Sequence, residues 1–344
     1  MLSRIARGMY ELGRRVESAE NVARILDVNH RMSLELDYFS DLDVWSPMLA
    51  ITDSRKLFDS LYDEVNEANV YDFLLLSEDN PNSVLVNLRQ GREYARTMRE
   101  RISEEMWEHL NRMHLEMQEM ELKEVLRKGS YYFNQRIQAF CNAFHGFADN
   151  TMVHGEAWQF LRLGRNMERA AMTARILAIK YHILLPDSHE VGRPLDLHQW
   201  QALLRSVSGY EAYRRLYRAR IAPAQVVNLM LFDPRFPRSL RFCITQTRDC
   251  LRGIGRHTEA QRNAFALVAN FLEELEGDHG SRVLEEGLKQ NMEHIDLQCR
   301  KIQQQLFESY LDPMIILDAF GRNMALGMQA QQQQQDHQHK AVSA

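Results

Sequence analysis

A chain of 344 residues, 45% hydrophobic and 26% charged, has the composition of an ordinary globular protein and the length for one large or two closely joined domains. A net charge of −5 argues against broad nucleic-acid binding, and no stretch stays apolar for the ~18 residues that a membrane-spanning helix needs. Only 16 glycines and 8 prolines punctuate a sequence rich in Arg, Glu, Gln, Leu, Ala and Met, which favours long helices over strands. Four cysteines (Cys141, Cys243, Cys250 and Cys299) without CxxC spacing, and no apolar leader after Met1, point to reduced thiols in a cytoplasmic protein.

Ser3 is an N-cap for a first helix over 3–28. In it Leu12, Val16, Ala19, Ala23 and Leu26 form one apolar stripe, while Arg14, Glu17 and Arg24 fall on the opposite side. A second helix is expected over 45–65, and a short one over 68–76 ends at the breaker cluster 77–81. Asn82 and Ser83 cap a helix reaching Ile102, and another starts near Ser103. Segment 113–127 continues at helical spacing until Gly129, and 131–147 completes the first half. Asp149-Asn150-Thr151-Met152 reads as a hinge, with Asp149 and Thr151 as capping or turn residues and secondary site candidates. The second half is expected to hold helices over 157–181, 200–220, 226–232, 262–275 and 281–310, with a turn-rich linker over 186–194 and an apolar end segment over 311–326. The Gln- and His-rich stretch 329–344 has the composition of a disordered tail.

The opening helix recurs. Between Leu12 and Leu26, nine of fifteen positions are identical after a shift of 151: Leu12, Gly13, Arg14, Glu17, Ala19, Ala23, Arg24, Ile25 and Leu26 reappear from Leu163 to Leu177. At a shift of 156, Pro81, Ser83, Arg92 and Arg96 meet Pro237, Ser239, Arg248 and Arg252. The chain therefore reads as an all-α, internally duplicated multi-helix bundle with a pseudo-two-fold arrangement. Residues 1–150 form the first helical repeat, 151–328 the second, and 329–344 the tail.

A solvated helix face drifts between repeats. Here Arg15, Ser18 and Asn21 have become Asn166, Arg169 and Met172, whereas Arg14, Glu17 and Arg24 return as Arg165, Glu168 and Arg175. Two explanations fit. One is a buried ion-pair network clamping the halves, for which the planar guanidinium is suited by its bidentate bonds to carboxylates. The other is a cleft in which paired arginines hold an anionic ligand. The candidate residues for either are Arg14, Glu17, Glu20, Arg24, Arg165, Glu168, Arg169 and Arg175. Gly13 and Gly164, retained inside helices at about 1 kcal/mol each against Ala, call for close approach of a neighbouring helix or ring. No pair of Glu-x-x-His motifs of the di-iron kind occurs, and no HExxH, GxSxG or Walker pattern. His109, His114, His145 and His154 lack the spacing of a metal site, so no metal or other cofactor is expected.

These motifs resemble those of the bacterial alpha-E proteins. The likeness is carried by Ser3-Arg4-Ile5-Ala6, Tyr10-x-Leu12-Gly13-Arg14-x-x-Glu17-x-Ala19-Glu20-Asn21-x-Ala23-Arg24 and Asp149-x-Thr151-Met152. It continues in Trp158-x-Phe160-Leu161-x-Leu163-Gly164-Arg165-x-x-Glu168-Arg169-Ala170, Ser208 to Arg215, and Phe236-Pro237-Arg238-Ser239, and it covers about residues 1–310. Glu11 and Asn150 stand where that family commonly has Trp and Gly. The resemblance implies a helical protein encoded beside circularly permuted ATP-grasp proteins and transglutaminase-like proteases. It also implies a role in ATP-dependent synthesis or tagging of a peptide.

Three readings of function follow. The preferred one is an accessory protein that works with an ATP-grasp ligase on a peptide or amino-acid substrate, away from nucleic acid and membrane. The second is an enzyme of the same pathway, in which the arginines bind a carboxylate-bearing substrate and Glu17, Glu20 or Glu168 is the general base. The third is a structural scaffold, a homo-oligomer assembled through Met106, Met113, Met117 and Met120.

Overall fold

The computed structural model describes residues 2–35, 41–182, 194–218, 220–277 and 279–311. The protein is all-α, with sixteen α-helices and no strand among the described residues. None of these helices is long and apolar enough to cross a membrane. The linker over 186–193, the end segment beyond Leu311 and the 329–344 tail lie outside the described residues.

The first eight helices are α1 (Ser3–Glu35), α2 (Asp41–Ile51), α3 (Arg55–Leu61), α4 (Glu67–Tyr71), α5 (Val84–Thr97), α6 (Glu104–Gln118), α7 (Leu122–Lys128) and α8 (Ser130–Thr151). The next eight follow with similar lengths: α9 (Glu156–His182), α10 (Pro194–Ser206), α11 (Tyr210–Tyr217), α12 (Pro223–Val227), α13 (Leu240–Ile254), α14 (Glu259–Glu274), α15 (Gly280–Glu286) and α16 (Leu288–Leu306). Both α4 and α12 run directly into a π turn, over Asp72–Leu76 and Asn228–Phe232. Ser83 and Ser239 then cap α5 and α13, each hydroxyl accepting from the backbone N–H three residues on, at 3.2 and 3.0 Å.

Several expected helices are split, for local reasons. Segment 45–65 breaks because Asp53 takes a left-handed φ of +51° and the Ser54 N–H turns back to the Leu49 carbonyl at 2.9 Å. Segment 200–220 breaks in the same way at Ser208, with φ +53° and a Gly209 N–H to Leu204 carbonyl bond. Asp and Ser are not the glycine that usually announces such a stop. Gly129 and Gly287, at φ +93° and +106°, separate α7 from α8 and α15 from α16. The hinge expected at 149–152 is instead the last turn of α8, which runs through Thr151.

Helix α1 is the centre of the molecule. Between Leu12 and Asn29 every residue except Arg14 and Arg15 is buried, so both its apolar stripe and its charged side are interfaces. Helix α9 lies across it, α5 and α8 pack on α1, and α13 and α16 pack on α9. At the crossing there is no room for side chains. A methyl group on Gly13 would overlap the Leu161 carbonyl oxygen, and one on Gly164 would overlap that of Tyr10. One contiguous apolar core runs through both halves. Met106, Met113 and Met117 are buried in it and Met120 is half-buried against it, so the methionine-rich segment fills this chain's own interior and is not a surface for self-association.

Replacing Gly164 by Ala should therefore force α1 and α9 apart and cost at least about 1–3 kcal/mol in urea unfolding. Gly146 on α8 has no neighbouring atom within 4 Å of an added methyl group. Gly146→Ala should be neutral or stabilising by up to about 1 kcal/mol. Equal effects of the two substitutions would contradict this view of the crossing.

Candidate functional site

The crossing divides the repeated charges into two environments. The first is closed. Glu17 on α1 has no exposed surface, and its carboxylate receives a fork from Arg169 on α9: Nε donates to Oε1 at 2.9 Å and Nη2 to Oε2 at 2.7 Å. Arg238, in the turn before α13, donates from Nη1 to Glu17 Oε1 at 2.9 Å and to Asn21 Oδ1 at 3.1 Å. Its Nη2 donates to Glu20, which also accepts from Arg24. Arg24 in turn donates to the Ser208 hydroxyl. The Arg238 backbone carbonyl accepts from the Thr173 hydroxyl of α9 at 2.9 Å, so this one residue fastens its turn to both central helices.

Burial and charge act against each other here. Burial alone would raise the Glu17 carboxyl, but the guanidiniums of Arg169 and Arg238 outweigh it and hold the group well below its ordinary value. Burial lowers Arg24 to about 10, helped by the like charge of Arg238 and opposed by Glu20. His145 on α8 stands 3.5 Å from Glu17 Oε2. Burial lowers its pKa, and the nearby carboxylate opposes that only in part. Glu17, Glu20 and His145 also bring ligand-type atoms within 4.8 Å of one another. A divalent cation at that point would meet the guanidiniums of Arg24, Arg169 and Arg238 already seated on the carboxylates. The donor set is that of an arginine clamp, not of a metal site.

The second environment is open. Arg14, Glu168 and Arg175 line a cleft of about 300 Å³ with Tyr10, Glu11 and Ser18 on one side and Gln303, Phe307 and Leu311 from the end of the described chain on the other. Arg14 is held by Glu11, its Nε and Nη2 donating to Oε2 at 3.1 and 2.8 Å. Its Nη1 reaches only to 3.7 Å from Glu168. Among the described residues Glu168 accepts no hydrogen bond and Arg175 makes no ion pair; both side chains face the cleft.

The remaining candidates sit apart from both. Arg165 is turned toward Asp149, with Nη1 to Oδ2 at 3.5 Å. Asp149 also accepts from the Trp158 indole at 3.1 Å, and the Thr151 hydroxyl lies 2.7 Å from both the Phe147 carbonyl and the hydroxyl of Ser103, so Asp149 braces α8 to α9 and Thr151 reaches the cap of α6. Glu17 and Glu20 are thus removed from any role as an exposed base, and only Glu168 of the three reaches solvent through the cleft. Arg238 and His145 belong to the closed cluster although the repeat gave no reason to select them. Arg238 faces Asn82 at the 156 shift, and His145 lies outside the repeated motif.

The comparisons with known proteins bear on this pair of environments. The model of a family described as "Alpha-E: A predicted alpha-helical domain with a conserved ER motif" matches residues 1–311. The chain belongs to the Alpha-E family. It contains two Glu-Arg pairs, Glu100-Arg101 and Glu168-Arg169. The first is exposed on a short 3-10 turn. The second straddles the two environments of this Alpha-E protein, with Arg169 in the clamp and Glu168 in the cleft. Similar chains include Uncharacterized protein Mb2597 of Mycobacterium bovis and Uncharacterized protein Rv2567 of Mycobacterium tuberculosis, each 23% identical over 269 residues. The match takes in 73% of this chain and 30% of each relative, so the chain spans about a third of their length. No solved structure matches it significantly.

Removing one member of a buried, charge-paired cluster leaves the others uncompensated. Glu17→Gln should cost about 3–5 kcal/mol in urea unfolding, and Glu168→Gln, at the cleft wall, about 1 kcal/mol or less. The pH dependence follows from two depressed values. Glu17 lies below its ordinary 4.5, so its stabilisation is complete above about that pH and is lost as acid carries the pH down through the folded value. His145 lies below its ordinary 6.5, so its neutral ring begins to oppose folding stability once the pH drops under 6.5. His109 and His114 are lowered by burial too and contribute to the same limb. His145→Gln should flatten that limb between 6.5 and 4.5 without abolishing it, as read from urea midpoints across the range.

Proposed function

We propose that this Alpha-E protein is a duplicated helical binding module, an accessory to an ATP-grasp ligase in ATP-dependent peptide or amide-bond formation. In this role it holds a charged end of the peptide or amino acid in the Glu168–Arg175 cleft. The observation that carries the reading is the division of the repeated charges. One set holds Glu17, a carboxylate without exposed surface, between two guanidiniums, and the other lines an open cleft in which Arg14 comes no nearer than 3.7 Å to Glu168 and Arg175 has no ion pair among the described residues. A cytoplasmic location and the ligase partner are part of the proposal and rest on the family resemblance.

Binding is favoured over catalysis by the state of the reactive groups. Glu17 is covered by guanidiniums and held in its ionised form far below neutral pH, which makes it a poor proton acceptor. The four cysteines are all buried, and burial pushes each thiol up, Cys243 to about 12 and Cys250 to about 11. None is poised as a thiolate nucleophile at neutral pH.

The test is reconstitution with a recombinant ATP-grasp protein from the same organism. The two should co-elute in size-exclusion chromatography, and the Alpha-E chain should change the ligase's product or rate. Glu168→Gln and Arg175→Gln should abolish that effect while leaving the melting temperature close to that of the parent protein. Absence of both association and any change in product would remove the proposal.

A further inference from the structure

The closed environment shows what the open one lacks. The opening helices correspond at a shift of 151, the Pro-x-Ser turns at 156, and the helices that start at Gly129 and Gly287 at 158. On this register Glu17 answers Glu168, Arg24 answers Arg175, and Arg165 answers Arg14. The residues that complete the clamp do not recur. Arg169 corresponds to Ser18, Arg238 to Asn82, and Glu20 to Ala171. His145 corresponds to Gln303, which takes its place on the cleft wall.

Each loss leaves a specific gap. Glu17 is neutralised by Arg169 and Arg238, whereas Glu168 has only the hydroxyl of Ser18 and the amide of Asn82 at the corresponding positions, both on the wall of its cleft. Arg24 is neutralised by Glu20, whereas Arg175 finds the methyl group of Ala171 at that position. The other nearby cation, Arg14, is already engaged by Glu11. The cleft is therefore short of one cation beside Glu168 and one carboxylate beside Arg175. In the closed half the groups that fill these two positions touch each other, because Arg238 bonds Glu17 and Glu20 at once. A ligand that fills both must carry its positive and negative groups side by side.

We infer that the cleft binds the zwitterionic head of a free α-amino acid, its ammonium group on Glu168 and its carboxylate on Arg175. This deepens the proposed function, on which it rests, by naming the substrate class for the same cleft. Val22, Met172 and Phe307 give the wall an apolar part against which a side chain packs, and about 300 Å³ suits a ligand of this size. Charge-assisted hydrogen bonds at both ends of the head group supply the orientation.

The experiment compares three probe sets on the full chain, by thermal shift and calorimetry: free L-α-amino acids, their Nα-acetyl derivatives and their α-amides. Free amino acids at millimolar concentration should raise the melting temperature by about 2–4 °C, and both blocked sets should not. Glu168→Gln and Arg175→Gln should each weaken binding at least about tenfold. Ser18→Arg, which supplies the missing guanidinium from the chain itself, should abolish binding while keeping or raising the melting temperature. If the acetylated acids bind as well as the free ones, in an Arg175-dependent way, the zwitterion is wrong and the cleft remains a receptor for a charged end. If no probe binds, the inference falls. If in addition Glu168→Gln and Arg175→Gln leave the effect on the ligase intact, the cleft's part in the proposed function falls with it.

Discussion

The crossing of α1 and α9 at Gly13 and Gly164 is the constraint on which the rest of the structure depends. Two helix backbones meet there with carbonyl oxygens in the space that side chains would need. Close approach sets the register of everything one turn away. Four residues beyond Gly13 is Glu17, which meets Arg169; four beyond Gly164 is Glu168, which faces Arg14. A larger residue at either glycine would separate the helices and lengthen these contacts together. The cost of glycine within a helix, about 1 kcal/mol each, is offset by this packing and by the ion pairs it permits.

Burying Glu17 and Glu20 among Arg24, Arg169 and Arg238 is not an efficient route to stability. Each ion loses its hydration, and apolar residues of similar volume can serve as well. What the cluster does supply is selectivity of docking. A guanidinium fork accepts a carboxylate in few orientations, and an unpaired charge in this position would be costly. Arg238 adds a third body to the pair, because its side chain is bonded to α1 and its carbonyl to Thr173 on α9. The turn 233–239 is thereby fixed relative to both helices. With it is fixed the start of α13, capped by Ser239.

How much of this was legible beforehand depends on what a repeat can reveal. The all-α class followed from composition and spacing, and the persistence of Gly13 and Gly164 pointed to a tight approach whose partner only the structure names. Retention of Glu17 and Arg24 marked them as constrained, yet helical geometry placed them opposite the apolar stripe, which reads as a solvent side. A helix packed all round has no such side, and periodicity along one segment does not report how many neighbours it has. Arg238 and His145 were out of reach for a different reason. Comparison within one chain selects what both halves share, and these two residues are what distinguishes them. The helix breaks at Asp53 and Ser208 were hidden because left-handed backbone there is held by the closing hydrogen bonds and not announced by glycine.

The differences between the halves are themselves informative. If both environments served only to clamp the halves, the arginines at 169 and 238 would be as useful at 18 and 82, and the carboxylate at 20 as useful at 171. Instead Glu168 and Arg175 recur beside a cleft where Ser18, Asn82 and Ala171 stand at those positions, so Glu168 has only the distant Arg14 and Arg175 has no ion pair among the described residues. A loose ion pair such as Arg14–Glu168 contributes little, and a partly buried charge without a partner, as at Arg175, contributes less than none. Folding stability therefore gives no reason to maintain them. Retained charge without a structural return is the observation on which the proposed ligand site rests. The closed half, where guanidinium and carboxylate occupy the equivalent positions in contact with each other, is the template for the zwitterion proposed there.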